Sequence, residues 1–144
     1  MQNPIIKSMC AVIFSIIVSV VLFMLVEGVS MLIHPFPEDF GGSFEEIAYQ
    51  VETYPTWALV LLGGVGWGGL VVICTWLATR YGHNRNPWHG YGVGIFLVGM
   101  AAYNMSMLPY PVWYIVFMLV LLPLAAYLGT KLAAKNVASA GEAD

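Results

Sequence analysis

The run IIKSMCAVIFSIIVSVVLFMLVEGVSMLI, residues 5–33, decides the class of this chain. It contains no proline and only two charges, Lys7 and Glu27. At about 1.5 Å of rise per residue it is longer than a hydrocarbon core about 30 Å thick. Three further apolar runs follow, over residues 57–78, 91–108 and 112–132. Composition agrees: 60% hydrophobic residues, 9% charged residues and a mean hydropathy of +0.80 leave too few charges to cover a water-soluble domain of 144 residues. In lipid every backbone N–H and C=O needs an internal partner, so only helices or a closed barrel can cross, and runs without two-residue alternation select helices. The expected fold is all-α: a polytopic membrane protein with four transmembrane helices forming one domain over residues 1–135, then a short flexible tail over 136–144. The first run exceeds the apolar core of a secretory signal, and no convincing small-x-small cleavage site follows Glu27, so it reads as a retained helix.

Basic residues set the expected orientation. Lys7 precedes the first run, Arg80 and Arg85 fall between the second and third, and Lys131 and Lys135 follow the fourth. The segment 34–56 has no Lys or Arg but carries Glu38, Asp39, Glu45, Glu46 and Glu52. By the positive-inside rule both termini and the middle loop are cytoplasmic, and residues 34–56 form an outer loop. Tyr54, Trp57, Tyr103, Tyr110, Trp113 and Tyr114 are then expected in an outer aromatic belt, with Tyr81, Trp88, Tyr91 and Tyr127 toward the inner one.

Within the outer loop, Ser43 followed by Glu46 is a capping-box pattern, and Phe44, Ile47, Ala48 and Val51 recur at helical spacing until Pro55. This predicts a short amphipathic helix, apolar side down, with Glu45, Glu46 and Glu52 on its polar side. The sequence His34-Pro35-Phe36-Pro37 predicts an extended exit from the first span, because each proline disfavours helix at the residue before it.

Small residues mark the expected packing faces: Gly64 and Gly68 in the second span, Gly90 and Gly94 in the third, each pair four apart so that helix backbones can approach closely. Pro123 removes one backbone hydrogen bond from the fourth span. Polar groups at membrane depth are few. Glu27 stands in the first span with Ser30 and His34 three and seven residues on, on nearly one helical face. Glu27 lies about eight residues, or roughly 12 Å, from the middle of its span, which places it in the outer third at the level of the turn holding Asn104 and Trp113. Glu27, His34 and Asn104 form the candidate polar cluster. A structural role predicts a hydrogen bond from Glu27 to Asn104 or Trp113; a functional role makes it a proton or cation site.

One histidine and one carboxylate fall short of a usual metal-ligand set, and His83 and His89 belong to the other side, so no metal is expected. Cys10 and Cys74 form no C-x-x-C pair, no histidine lies at the depth a transmembrane haem needs, and no nucleotide or hydrolase motif occurs in a suitable context. The residues thus predict no cofactor, no nucleic acid and no enzyme chemistry.

The order of landmarks, Glu27 ahead of His34-Pro35-Phe36-Pro37, Thr53-Tyr54-Pro55 opening a Gly/Trp-rich second span, Asn104 with Pro109-Tyr110-Pro111 and Trp113, then Leu122-Pro123 with Gly129 and Ala133, resembles a family of small, uncharacterised bacterial membrane proteins with four helices. The resemblance covers most of the chain and implies a location in the bacterial cytoplasmic membrane, with no established activity. The expected partners are the lipid bilayer and either a second copy or a larger membrane complex. Two function classes follow: a small structural or accessory subunit, which the scarcity of polar residues in the inner half favours, and a small transporter or proton-coupled carrier using Glu27.

Overall fold

Asn3 opens the first helix, its side chain accepting the Ile5 N–H at 3.0 Å while Pro4 occupies the first helical position, where its missing N–H is harmless. In the computed structural model, which describes residues 3–141 with side chains through Ala134, this helix is α1, Pro4–Ile33. Pro35 and Pro37 end it. A nine-residue helix follows, α2, Phe44–Glu52, then α3, Thr56–Leu61, a π-helical turn, Leu62–Trp67, and α4, Gly68–Tyr81. A 3₁₀ turn at His83–Arg85, with Asn84 and Arg85 at positive φ, reverses the chain into α5, Pro87–Met107, which Asn86 caps through the Trp88 N–H. Pro109 and Pro111 separate it from α6, Val112–Gly141.

No strand occurs among the described residues. Three helical stretches are long and apolar enough to cross a membrane: Pro4–Ile33, the continuous rod Thr56–Tyr81 and Val112–Ala134. α5 matches them in length, but its glycines together with His89 and Asn104 make it less apolar. α6 continues as helix through Gly141, into the segment expected to be a tail; residues 142–144 lie outside the described ones.

α4 lies at the centre, packed against α1, α5 and α6. Its buried face, Leu70, Val71, Cys74 and Ala78, meets Val93, Leu97 and Ala101 of α5 and Met118, Leu122 and Ala126 of α6. Close approach requires glycine at two of these contacts. A Cβ on Gly90 would overlap the Thr79 and Thr130 hydroxyls and come within 2.9 Å of the Thr75 carbonyl oxygen, and one on Gly129 would overlap the Val72 carbonyl. Gly94 is similarly confined, since a Cβ there would lie 2.7 Å from Ala126 Cβ.

Within the chain, the pair Gly64 and Gly68 is less confined. A Cβ there would meet only Phe117 at 3.8 Å or Leu121 at 3.5 Å, ordinary contact distances. Gly63 takes the close position, where a Cβ would lie 2.9 Å from Met118 Sδ and Tyr114 Cε2. The π turn explains the change: Gly68 N–H reaches back five residues to the Gly63 carbonyl, and the wider turn rotates the face on which four-residue spacing relies.

Candidate functional site

At the C-terminal end of α1 the helices line a partly open cavity of about 240 Å³. Glu27, Ser30 and His34 reach it from one face of α1, as their spacing predicts. Gln50 and Val51 come from α2, Tyr54 from the link before α3, Trp67 from the π turn, and Asn104, Tyr110 and Tyr114 from α5, the following turn and α6. The three candidate residues Glu27, His34 and Asn104 therefore line one cavity, brought together from α1 and α5.

Most polar groups around it are tied to protein partners. The Ser30 and Tyr54 hydroxyls share a hydrogen bond, and Tyr54 Oη donates to the Ser30 carbonyl oxygen at 3.1 Å. His34 Nε2 lies 3.1 Å from Thr53 Oγ1, and its ring packs edge-on to Tyr54 at 4.7 Å. Buried Gln50 donates through Nε2 to the His34 carbonyl at 2.8 Å and the Pro35 carbonyl at 3.3 Å. Tyr110 Oη donates to Asn104 Oδ1 at 3.4 Å, a long contact, and the Tyr110 ring stacks on Tyr114 with centroids 5.1 Å apart. Burial first, and then the negative charge of Glu27, push the Tyr110 phenol up to about 12, so it remains a proton donor at neutral pH.

Glu27 differs. It is half-buried, and among the described residues no hydrogen bond or ion pair reaches its carboxylate. Asn104 lies across the same cavity with its amide oxygen toward Tyr110, and Trp113 is exposed outside it, so neither supplies the hydrogen bond a structural role predicts. The expected outer belt also divides: Trp57, Tyr103 and Trp113 are exposed, whereas Tyr54, Tyr110 and Tyr114 turn inward as cavity walls. Among the described residues no lysine or arginine lines the cavity. No three His, Cys, Asp or Glu side chains converge there or elsewhere among the described residues.

Gln50 is the residue that sequence reading misses. Its signal is local: Pro35 and Pro37 pull the chain out of helical geometry, the carbonyls of residues 34 and 35 lose their helical partners, and a buried donor must replace them. α2 carries that donor one position before Val51. The capping box forms as expected, Ser43 Oγ accepting the Glu46 N–H at 3.2 Å and Glu46 accepting the Ser43 N–H at 2.8 Å. Glu46 also accepts the Gly41 N–H at 3.1 Å, so it folds back on the loop instead of standing free beside Glu45 and Glu52. Phe44, expected on the apolar side, is exposed, and the buried edge of α2 is Gln50 and Val51.

Comparison with family models, curated proteins and solved structures finds no match to this chain, so the geometry of the cavity carries the functional argument.

Proposed function

We propose that the chain is a four-crossing membrane protein in which Glu27 is the charge-selective group of a cation-binding cavity, and that it acts as a small carrier. The observation that carries this is the Glu27 carboxylate itself: half-buried in a cavity that has His34 but, among the described residues, no lysine or arginine, and without a protein hydrogen bond or ion pair. A carboxylate with a structural role at this depth is expected to hold a hydrogen bond to a neighbouring element, and among the described residues none reaches Glu27. Left unpaired, the group has its binding capacity directed at whatever enters the cavity.

The four crossings rest on connectivity. α5 leaves the 3₁₀ turn, which packs against α1 and α6, and ends at Asn104 and Leu108 in the cavity wall. It thus covers the distance between the two ends that the rod Thr56–Tyr81 and α6 cover, and its 21 residues span about 31 Å at the helical rise. Lys7 and Tyr81 line one groove at the end away from the cavity, where the chain also places Arg80 and Arg85, so the positive-inside rule puts that end in the cytoplasm and the cavity at the opposite face. The cytoplasmic membrane of a bacterium fits this arrangement and the resemblance above.

The accessory-subunit reading keeps one supporting observation. Of the thirty residues of α1 only Ala11, Ser15 and Ser19 are buried, which leaves a broad apolar face for lipid or a partner protein.

Cation flux into sealed vesicles containing the purified protein tests the carrier function. Wild-type vesicles should accumulate a monovalent cation or proton down an imposed gradient, and folded Glu27→Gln should lose that flux. Equal flux in the two would remove Glu27 from the function; no flux in either, with a stoichiometric partner recovered in mild detergent, would return the protein to the accessory class.

A further inference from the structure

We infer that the ligand of the Glu27 cavity is a small organic ammonium ion of single positive charge. The inference rests on the cation-binding function proposed above and names its substrate class.

Charge sets the valence. Glu27 is the one carboxylate in the cavity lining, and among the described residues no lysine or arginine is there to neutralise it. A single positive charge balances it. A divalent ion would need several carboxylates and a shell of six or more oxygen ligands, which the lining does not supply.

The walls set the chemistry. Phe23, Tyr54, Trp67, Tyr110 and Tyr114 all face the cavity. Phe23 meets Trp67 edge-on at 5.4 Å, and the stacked Tyr110–Tyr114 pair stands on the α6 side. Aromatic faces attract a cation whose charge is spread over N–CH₃ or N–CH₂ groups, and desolvation inside a cavity strengthens that attraction. A bare sodium ion would have to exchange its hydration shell for ring carbons. An alkylammonium ion keeps its apolar surface against the rings and its charge toward Glu27.

Volume sets the size. The cavity measures about 240 Å³, against the roughly 300–1,000 Å³ usual for drug-sized ligands. That suits a ligand of roughly ten non-hydrogen atoms or fewer. The Asn104 amide lies on the same lining, within reach of a hydroxyl or N–H on the ligand. Glu38, Asp39, Glu45 and Glu52 are exposed on the segment leading to the cavity and raise the local concentration of cations.

The test is calorimetric titration of the purified protein in detergent with choline, and in parallel with its neutral isostere 3,3-dimethylbutan-1-ol. Choline should bind saturably, and the isostere, equal in shape but uncharged, at least about tenfold more weakly; Glu27→Gln should weaken choline by a similar factor. Trp67→Leu should weaken it about 3- to 30-fold, the span expected of a partly to fully desolvated cation–π contact, while Tyr110→Phe, which keeps the ring face, should stay close to wild type. Equal affinity for choline and the isostere, or choline binding that Glu27→Gln leaves unchanged, would overturn the assignment. Absence of choline binding together with Glu27-dependent sodium or proton flux would overturn the ammonium ligand and leave the cation cavity standing. Absence of both would overturn the cavity's function as well.

Discussion

At the scale of single residues, the glycines of this bundle divide into those that permit contact and those that merely lie near it. Gly90 faces the hydroxyls of Thr79 and Thr130, both fully buried and without a hydrogen-bond partner among the described residues. Gly90→Ala should therefore destabilise the protein in detergent by about 1–3 kcal/mol through overpacking, outweighing the helix propensity that alanine adds. Gly64→Ala, whose Cβ meets only Phe117 at 3.8 Å, should change stability by less than about 0.5 kcal/mol. Thermal unfolding of the two variants side by side separates them, and equal losses would remove the distinction. Four-residue spacing is legible in sequence at Gly90 and Gly94, because α5 is a regular α-helix. At Gly64 and Gly68 the same spacing falls on or beside the π turn, and nothing in a glycine-rich run signals that its hydrogen bonds will step back five residues.

At the scale of elements, α2 is held by two separate devices. Gln50 ties it to the end of α1, and Gln50→Ala should leave the His34 and Pro35 carbonyls unpaired, at a cost of about 1–3 kcal/mol, with faster amide exchange confined to α2 and the segment before it. Uniform exchange across the chain would contradict this. The second device is the capping box, where hydrogen bonds from Ser43 and Gly41 hold the Glu46 carboxyl below its ordinary value of 4.5. A depressed carboxylate pKa contributes stability that is fully present above the ordinary value and lost as pH falls through the depressed one. Helix content at α2 should thus be constant near neutrality and decline only on strong acidification, and Glu46→Gln should flatten that decline; an unchanged acid profile would show that the cap is not titrating. The start of α2 is legible because Ser43 and Glu46 are a local signature. Its inward face is not, because the partner of Gln50 is a pair of carbonyls freed by prolines on another element.

At the scale of the whole molecule, charge and connectivity run together. The acidic segment and the cavity share one end, and the groove lined by Lys7 and Tyr81 marks the other. In a variant lacking Cys10 and Cys74, cysteines at Glu45 and Ser106 should react with an impermeant thiol reagent applied to intact cells, and one at Asn84 should not. Labelling of Asn84 from outside would invert the topology, and labelling of Ser106 only from inside would remove the crossing by α5. The apolar runs and the bracketing prolines make the helices readable from the chain. The cavity is less so: α1 spacing brings Glu27, Ser30 and His34 to one face, but the inward turn of Tyr54, Tyr110 and Tyr114 depends on how three elements meet, and interfacial aromatic residues read alike whether they face lipid or a ligand. The claim on which the rest depends is that the Glu27 carboxylate has no protein partner, and the stability of Glu27→Leu in detergent measures it most directly. Removal of an unpartnered, half-buried carboxylate should leave unfolding stability within about 0.5 kcal/mol of wild type or raise it. A loss of about 1–3 kcal/mol, the cost of stranding a buried hydrogen-bond partner, would contradict the claim and make Glu27 a structural residue.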